Sequence, residues 1–349
     1  MMSGRRTAIL VFLAALLALT GLLSLLAGAI ELSPGEVLRI LLSHAGLASV
    51  EGIDSTRIMV LEQLRLPRLL LGIFTGAALG AAGCTLQGLF RNPLADPGLL
   101  GVSSGAALGA VAVMVLGAGP GQSFAHFPGQ FAIPVAAFAG GLAATALVYR
   151  LGQVNGRSDM ATMLLAGIAI NAVALAGTSL LTYYADDLQL RGLVFWQMGS
   201  LGNADWQRLL FALPALGAAL LLLPRYAGLL NAVLLGEAEA RHLGFHLQRD
   251  KKILIAVVAL LTGLAVSLTG VIGFVGLVAP HILRLVTGPD HRTLLPGSAL
   301  LGAILLVAAD SLARLVAQPA EIPIGIITAL LGGPFFLWLL LRNRRKVLA

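Results

Sequence analysis

Asp310 and Arg314 stand four residues apart in LLVAADSLARLV, an otherwise apolar run. Two chemistries fit that spacing: an ion pair along one helix face, or a proton relay through a membrane helix. The ion pair is the better reading, because a proton- or sodium-driven carrier needs more buried carboxylates than this chain offers. His281, in APHILRL, could ligate a metal, but it follows Pro280 in an apolar segment and suits packing and hydrogen bonding better. His44 and His126 are read with the same caution. A single cysteine, Cys84, excludes a disulfide framework or a cysteine metal site within one chain. No G-x-x-x-x-G-K-[ST] loop, H-E-x-x-H helix or G-x-S-x-G elbow occurs, so the chain carries no recognisable nucleotide-binding or hydrolytic centre.

Two polar stretches interrupt the apolar sequence. The first is LFRNPLADPGLLGVSSG, residues 89–105. Pro93 and Pro97 stop a helix there, and Gly98 is expected to let the chain turn back. Non-helical backbone near membrane depth is tolerated only inside protein or beside a water-filled cavity. The second is NAVLLGEAEARHLGFHLQRDKK, residues 231–252. GEAEARHLG has the makings of a short helix, with Gly236 at its start, Gly244 at its end, acids early and Arg241 late. It is too short to stand alone, so lipid headgroups or a partner protein must hold it. Arg249, Lys251 and Lys252 suit headgroups; Glu237 and Glu239 suit a protein partner.

These stretches hang on elements made for lipid. The 349 residues are 58% hydrophobic and 11% charged, against about 25% charged in soluble domains. Apolar runs near 7–30, 67–90, 98–117, 131–150, 162–184, 206–224, 253–270, 273–287, 296–317 and 324–341 predict ten membrane helices in one domain spanning 1–349. The runs are continuous rather than alternating, which argues against strands. The first, behind Arg5 and Arg6, is too long for a signal-peptide core and reads as a retained helix. The segment 193–202 is too short to span and belongs near an interface. Gly72, Gly76 and Gly80 recur every four residues, a stripe that lets a second helix approach and puts this helix inside protein.

The net charge of +7 belongs to membrane orientation rather than nucleic acid. With both termini cytoplasmic, 16 of the 23 basic residues fall inside and seven outside. The outer set, which includes Arg57, Arg65, Arg68 and Arg314, goes against the positive-inside rule and calls for a reason.

The chain resembles the FecCD-type, or BtuC-like, permease subunits of ABC importers. The resemblance runs from about residue 60 to 341 and rests on LRLPRLLLGIFTGAALGAAGCTLQGLFRNPLADPGLLGVSSGAALG, LGEAEARHLG, GVIGFVGLVAPHILRL with DHRTLLPG, and AADSLARL with EIPIGIITALLGGPFFLWLLLR. It implies an all-α polytopic permease in a bacterial inner membrane, paired with a second copy, driven by two ATP-binding subunits and supplied by a periplasmic substrate-binding protein. The chain itself then needs no cofactor, and ATP is bound by the partner. By the same resemblance Gly236, Glu237, Glu239, Arg241 and Gly244 form the ATPase coupling helix. Arg65, Arg68 and Arg314 dock the binding protein. Asn92 and Leu94 form one half of a cytoplasmic gate, with Met160 and Ala161 as the other. Haem is the implied cargo, with ferric siderophore and cobalamin as alternatives. A stand-alone secondary carrier working through Asp310 is the rival of another class.

Overall fold

The structure, a computed structural model, describes residues 2–28, 30–117, 129–317 and 320–347. His126 lies outside the described residues. The chain begins with α1 (Met2–Leu26), then α2 (Pro34–Ser43) and α3 (Ser55–Met59), which runs through a π-helical turn at Val60–Arg65 into α4 (Leu66–Leu89). A 3-10 turn, Pro97–Leu100, precedes α5 (Val102–Leu116). There follow α6 (Gly129–Leu151), α7 (Met160–Tyr183), α8 (Asp187–Gln197) and α9 (Trp206–Leu222). After α10 (Ala227–Leu235) and α11 (Glu237–His242) come α12 (Leu247–Thr269), α13 (Val275–Thr287), α14 (His291–Val316) and α15 (Ile324–Val347).

Among the described residues, seven helical stretches are long and apolar enough to cross a membrane, and α5, α13 and α15 supply three shorter apolar ones. Each expected span is thus met by a helix. Residues 193–202 hold the end of α8 and the turn after it, short of a span. A small departure is the antiparallel pair Gln153–Val154 with Arg157–Ser158. Asn155 and Gly156 between them have φ of 51° and 74°, the left-handed geometry of a two-residue hairpin. The pair is fixed to α12 where Ser158 donates from N and Oγ to Gln248 Oε1 at 3.0 and 2.8 Å.

The glycine stripe does what its spacing implies. A side chain at Gly76 would overlap the Gly302 carbonyl oxygen, and one at Gly80 that of Ser298. The backbones of α4 and α14 therefore touch, and dispersion along that seam replaces the hydrophobic drive that lipid cannot supply. α12, α13 and α9 close the other sides, leaving the apolar window of the α4 stretch 78% buried. α7 is its opposite, with 17% of its window buried and Leu165, Ile168, Val173, Leu175 and Leu180 facing outward. α1 packs on α14.

Candidate functional site

Polar side chains gather at two ends of the bundle. At the first, α1 finishes beside the start of α4 and the end of α14. The π turn carries Arg65 inward, where its buried Nη1 donates to the carbonyl oxygens of Leu25 at 2.5 Å and Leu26 at 3.3 Å, and its Nη2 to that of Ile30. From α14, Arg314 donates through Nη1 to Ala27 O at 2.7 Å and through Nη2 to Ser24 O at 3.1 Å and Ser24 Oγ at 2.8 Å. The last carbonyls of a helix have no partner within it and carry the negative end of its dipole. Two arginines supply what α1 lacks.

Arg314 also keeps the ion pair its spacing predicted, Nε to Asp310 Oδ2 at 3.1 Å. Asp310, itself buried, receives Arg68 as a fork, with Nε 3.0 Å and Nη2 2.8 Å from Oδ1. The remaining arm of Arg68, Nη1, reaches Glu321 Oε1 at 2.9 Å. The structure brings Arg65, Arg68 and Arg314 together around Asp310 and the end of α1. Arg65 and Arg314 are turned onto the backbone of α1. Arg68 keeps the link to water, through Glu321.

The other end carries α11. Gly236 and Gly244 bound it, with φ of 139° and 87°. Ala240 is buried beneath it, while Glu239, Arg241 and Leu243 face out. Glu237 is partly exposed, and its Oε1 takes Lys251 Nζ at 2.5 Å, with Lys251 wholly buried. This corrects the headgroup reading of Lys251, which has no exposure with which to reach a headgroup.

At the same end, α4 stops at Leu89, ahead of Pro93, and Arg91 turns through a φ of 48°. The Asn92 side chain accepts the Leu94 N–H at 2.9 Å, and Leu94 is exposed. The chain turns back at Gly101, with a φ of 80°, rather than at Gly98. Gly98 instead donates its N–H to Asp96 Oδ1 at 2.8 Å. Burial pushes the Asp96 carboxyl above its ordinary range against that bond. The loop meets α7 through this later part. A side chain at Gly167 would overlap Leu99 O, and Asn171 donates to Gly98 O at 3.1 Å while accepting from Ser104. Met160 is half-buried against the core and Ala161 exposed, with Asp159 capping α7 through the Thr162 N–H at 2.8 Å. Asn171 was missed in the sequence; a lone amide in an apolar run was its signal.

His281 packs edge-on against Phe335 and Phe336, with ring centroids 6.1 Å away. Neither ring nitrogen finds a hydrogen bond among the described residues, so the packing role stands and the hydrogen-bonding role does not. A second histidine does bond. His291 Nδ1 lies 2.9 Å from Asn231 Oδ1, and Asn231 donates to Asp290 Oδ1 at 2.6 Å, clamping α10 to the start of α14. Among the described residues no group of His, Cys, Asp and Glu is disposed to hold a metal.

This apolar helical bundle, with a glycine-bounded short helix at one end and an arginine–carboxylate knot at the other, is matched by the FecCD transport family profile over residues 16–342. The chain belongs to the FecCD transport family. The hemin transport system permease protein HmuU of Yersinia pestis is 46% identical over 283 residues, covering 81% of this chain and 83% of its own. The cobalamin import permease BtuC of Halobacterium salinarum is also 46% identical, over 83% of this chain and 75% of its own. The vitamin B12 import permease BtuC of Salmonella typhimurium is 40% identical over 96% of this chain and 95% of its own. Among solved structures, a metal-chelate type ABC transporter in an inward-facing conformation superposes with a TM-score of 0.82 at 32% identity, covering 96% of this chain and 99% of that one. The chain is a membrane-embedded permease subunit of an ABC importer.

Proposed function

We propose that this permease passes haem from the periplasm to the cytoplasm across a bacterial inner membrane. Two copies pair, and the outward apolar face of α7 supports a neighbour beyond the single chain. Two separate ATP-binding subunits seat on the α11 end, which is cytoplasmic, as are both termini. Their contact is Glu239, Arg241 and the exposed Leu235 and Leu243, since Glu237 is engaged by Lys251. A short helix with uncovered leucines at its flanks, tied to α12 through Glu237 and Lys251, is built to be gripped from outside. The loop with Asn92 and Leu94, and Met160 with Ala161 at the start of α7, narrow the path at that end.

At the periplasmic end a substrate-binding protein presents acidic residues to Arg68. Arg65 and Arg314 support that seat indirectly, by fixing α1 and Asp310 behind it. The chain contributes no cofactor. Its role is to offer a path that is unreactive and changes access when ATP is used elsewhere.

The observation that carries the haem reading is the 46% identity to a hemin permease. Equal identity to a cobalamin permease makes cobalamin the second reading. Haem and cobalamin uptake by cells lacking their own importers, complemented with this chain and its ATPase and binding protein, separates them. Growth on hemin as sole iron source supports haem; hemin-negative, cobalamin-positive cells transfer the assignment to cobalamin.

A further inference from the structure

Arg68 holds its two carboxylates in unequal ways. Asp310 is 3% exposed, takes Nε and Nη2 as a fork and is also bound to Arg314. It cannot leave without stranding buried charge. Glu321 takes only Nη1, and its side chain is 46% exposed. It sits ahead of α15 on an irregular segment stitched by Ile322 N–H to Ala313 O at 3.2 Å, and the first turn of α15 is tied by Gly325 N–H to Met198 O at 3.0 Å. Behind it opens a cavity of about 500 Å³ that Glu321 lines together with Arg208, Asn203 and Gln130. Arg208 is paired with Asp205 at 3.1 Å and spends Nη1 on the Asn203 carbonyl at 3.3 Å, leaving donor capacity on a five-donor group.

We propose that Glu321 is an internal stand-in for the docking partner's carboxylate. It occupies the outward arm of Arg68 in the free permease and yields it on docking, turning into the cavity toward Arg208. The exchange swaps one carboxylate for another at Arg68, so no buried charge is left unpaired at any stage. It also makes the seat selective: only a partner whose acid outcompetes Glu321 can stay. This rests on the docking reading of Arg68 given above.

The test measures association of the nanodisc-held permease with its substrate-binding protein, at two ionic strengths. Glu321→Gln and Glu321→Ala remove the competitor and are expected to bind about two- to fivefold tighter, the worth of a partly exposed ion pair. Arg68→Glu reads the docking site itself and is expected to lose binding. If Arg68→Glu binds like wild type, the docking reading fails and takes the stand-in with it. If Arg68→Glu loses binding while both Glu321 variants bind no tighter than wild type, docking survives and the stand-in is overturned. Arg208→Gln should weaken binding in the wild-type background and have no effect beside Glu321→Ala; an equal loss in both backgrounds rejects the cavity as the destination. Thermal unfolding of each variant confirms that the compared proteins are folded.

Discussion

Lys251 Nζ lies 2.5 Å from Glu237 Oε1, with the lysine wholly buried and the glutamate side chain 33% exposed. The short α11 is therefore tied to α12 by a charge that cannot reach water. The two ends of this pair are not equivalent. Glu237→Gln leaves Lys251 buried without its counter-charge and should cost about 2–3 kcal/mol, less than for a fully buried pair because Glu237 reaches solvent. Lys251→Met leaves a glutamate free to turn outward and should cost less. Thermal unfolding of the two variants in detergent checks the order; a larger loss for Lys251→Met would show that the pair is not anchored as described.

The contact between α4 and α14 makes a prediction of similar sharpness. Gly76→Ala forces a methyl into the Gly302 carbonyl and should destabilise by about 1–3 kcal/mol or more. Gly217→Ala, in α9, meets nothing within 4 Å and should cost nothing measurable. Comparable melting of the two variants would contradict the backbone-to-backbone seam.

Asp96 supplies a pH signature. Its carboxyl is raised by burial, so the folded state holds the proton more tightly than the unfolded chain, whose carboxyl titrates near about 3.9. This group's penalty is present at neutral pH and is relieved as pH falls through the raised folded value. Asp96→Asn keeps an oxygen for the Gly98 N–H and removes the charge. It should match or exceed wild-type stability at pH 7.5 and show a smaller gain on going to pH 5. A variant markedly less stable at pH 7.5 would mean that the charge itself is needed.

Much of this was readable in the sequence, for physical reasons that differ by element. The glycine stripe at 72, 76 and 80 is a local pattern with one consequence, close backbone approach, and the structure has it. The ends of α11 were legible because Gly236 and Gly244 mark positive φ. Asn155-Gly156 is an equally plain hairpin signal, but a two-residue pattern is faint against the membrane-scale runs on either side. What the sequence could not give was the direction of charged side chains. Lys251 sits between Arg249 and Lys252 and looks like a headgroup anchor, but the turn of α12 points it at Glu237. Arg65 and Arg314 look like surface cations because the carbonyls they satisfy, at the end of α1, come from a distant part of the chain.

For the proposed gate, Leu94 is exposed on the proline-broken loop and is expected to approach its counterpart in the second copy. Leu94→Cys, in a background lacking Cys84, should cross-link across the pair to an extent that changes with nucleotide on the ATPase. Cross-linking indifferent to nucleotide would remove Leu94 from the gate.

The central claim is that this chain is an ATP-driven path running from the Arg68 end to the α11 end. The most direct measurement is hemin uptake into proteoliposomes holding the permease and its ATPase, with binding protein added outside and ATP sealed inside. Accumulation is expected to need both additions and to fail without hydrolysable ATP. Uptake driven equally well by an ion gradient with no ATPase present would contradict it and return the chain to the class of secondary carriers.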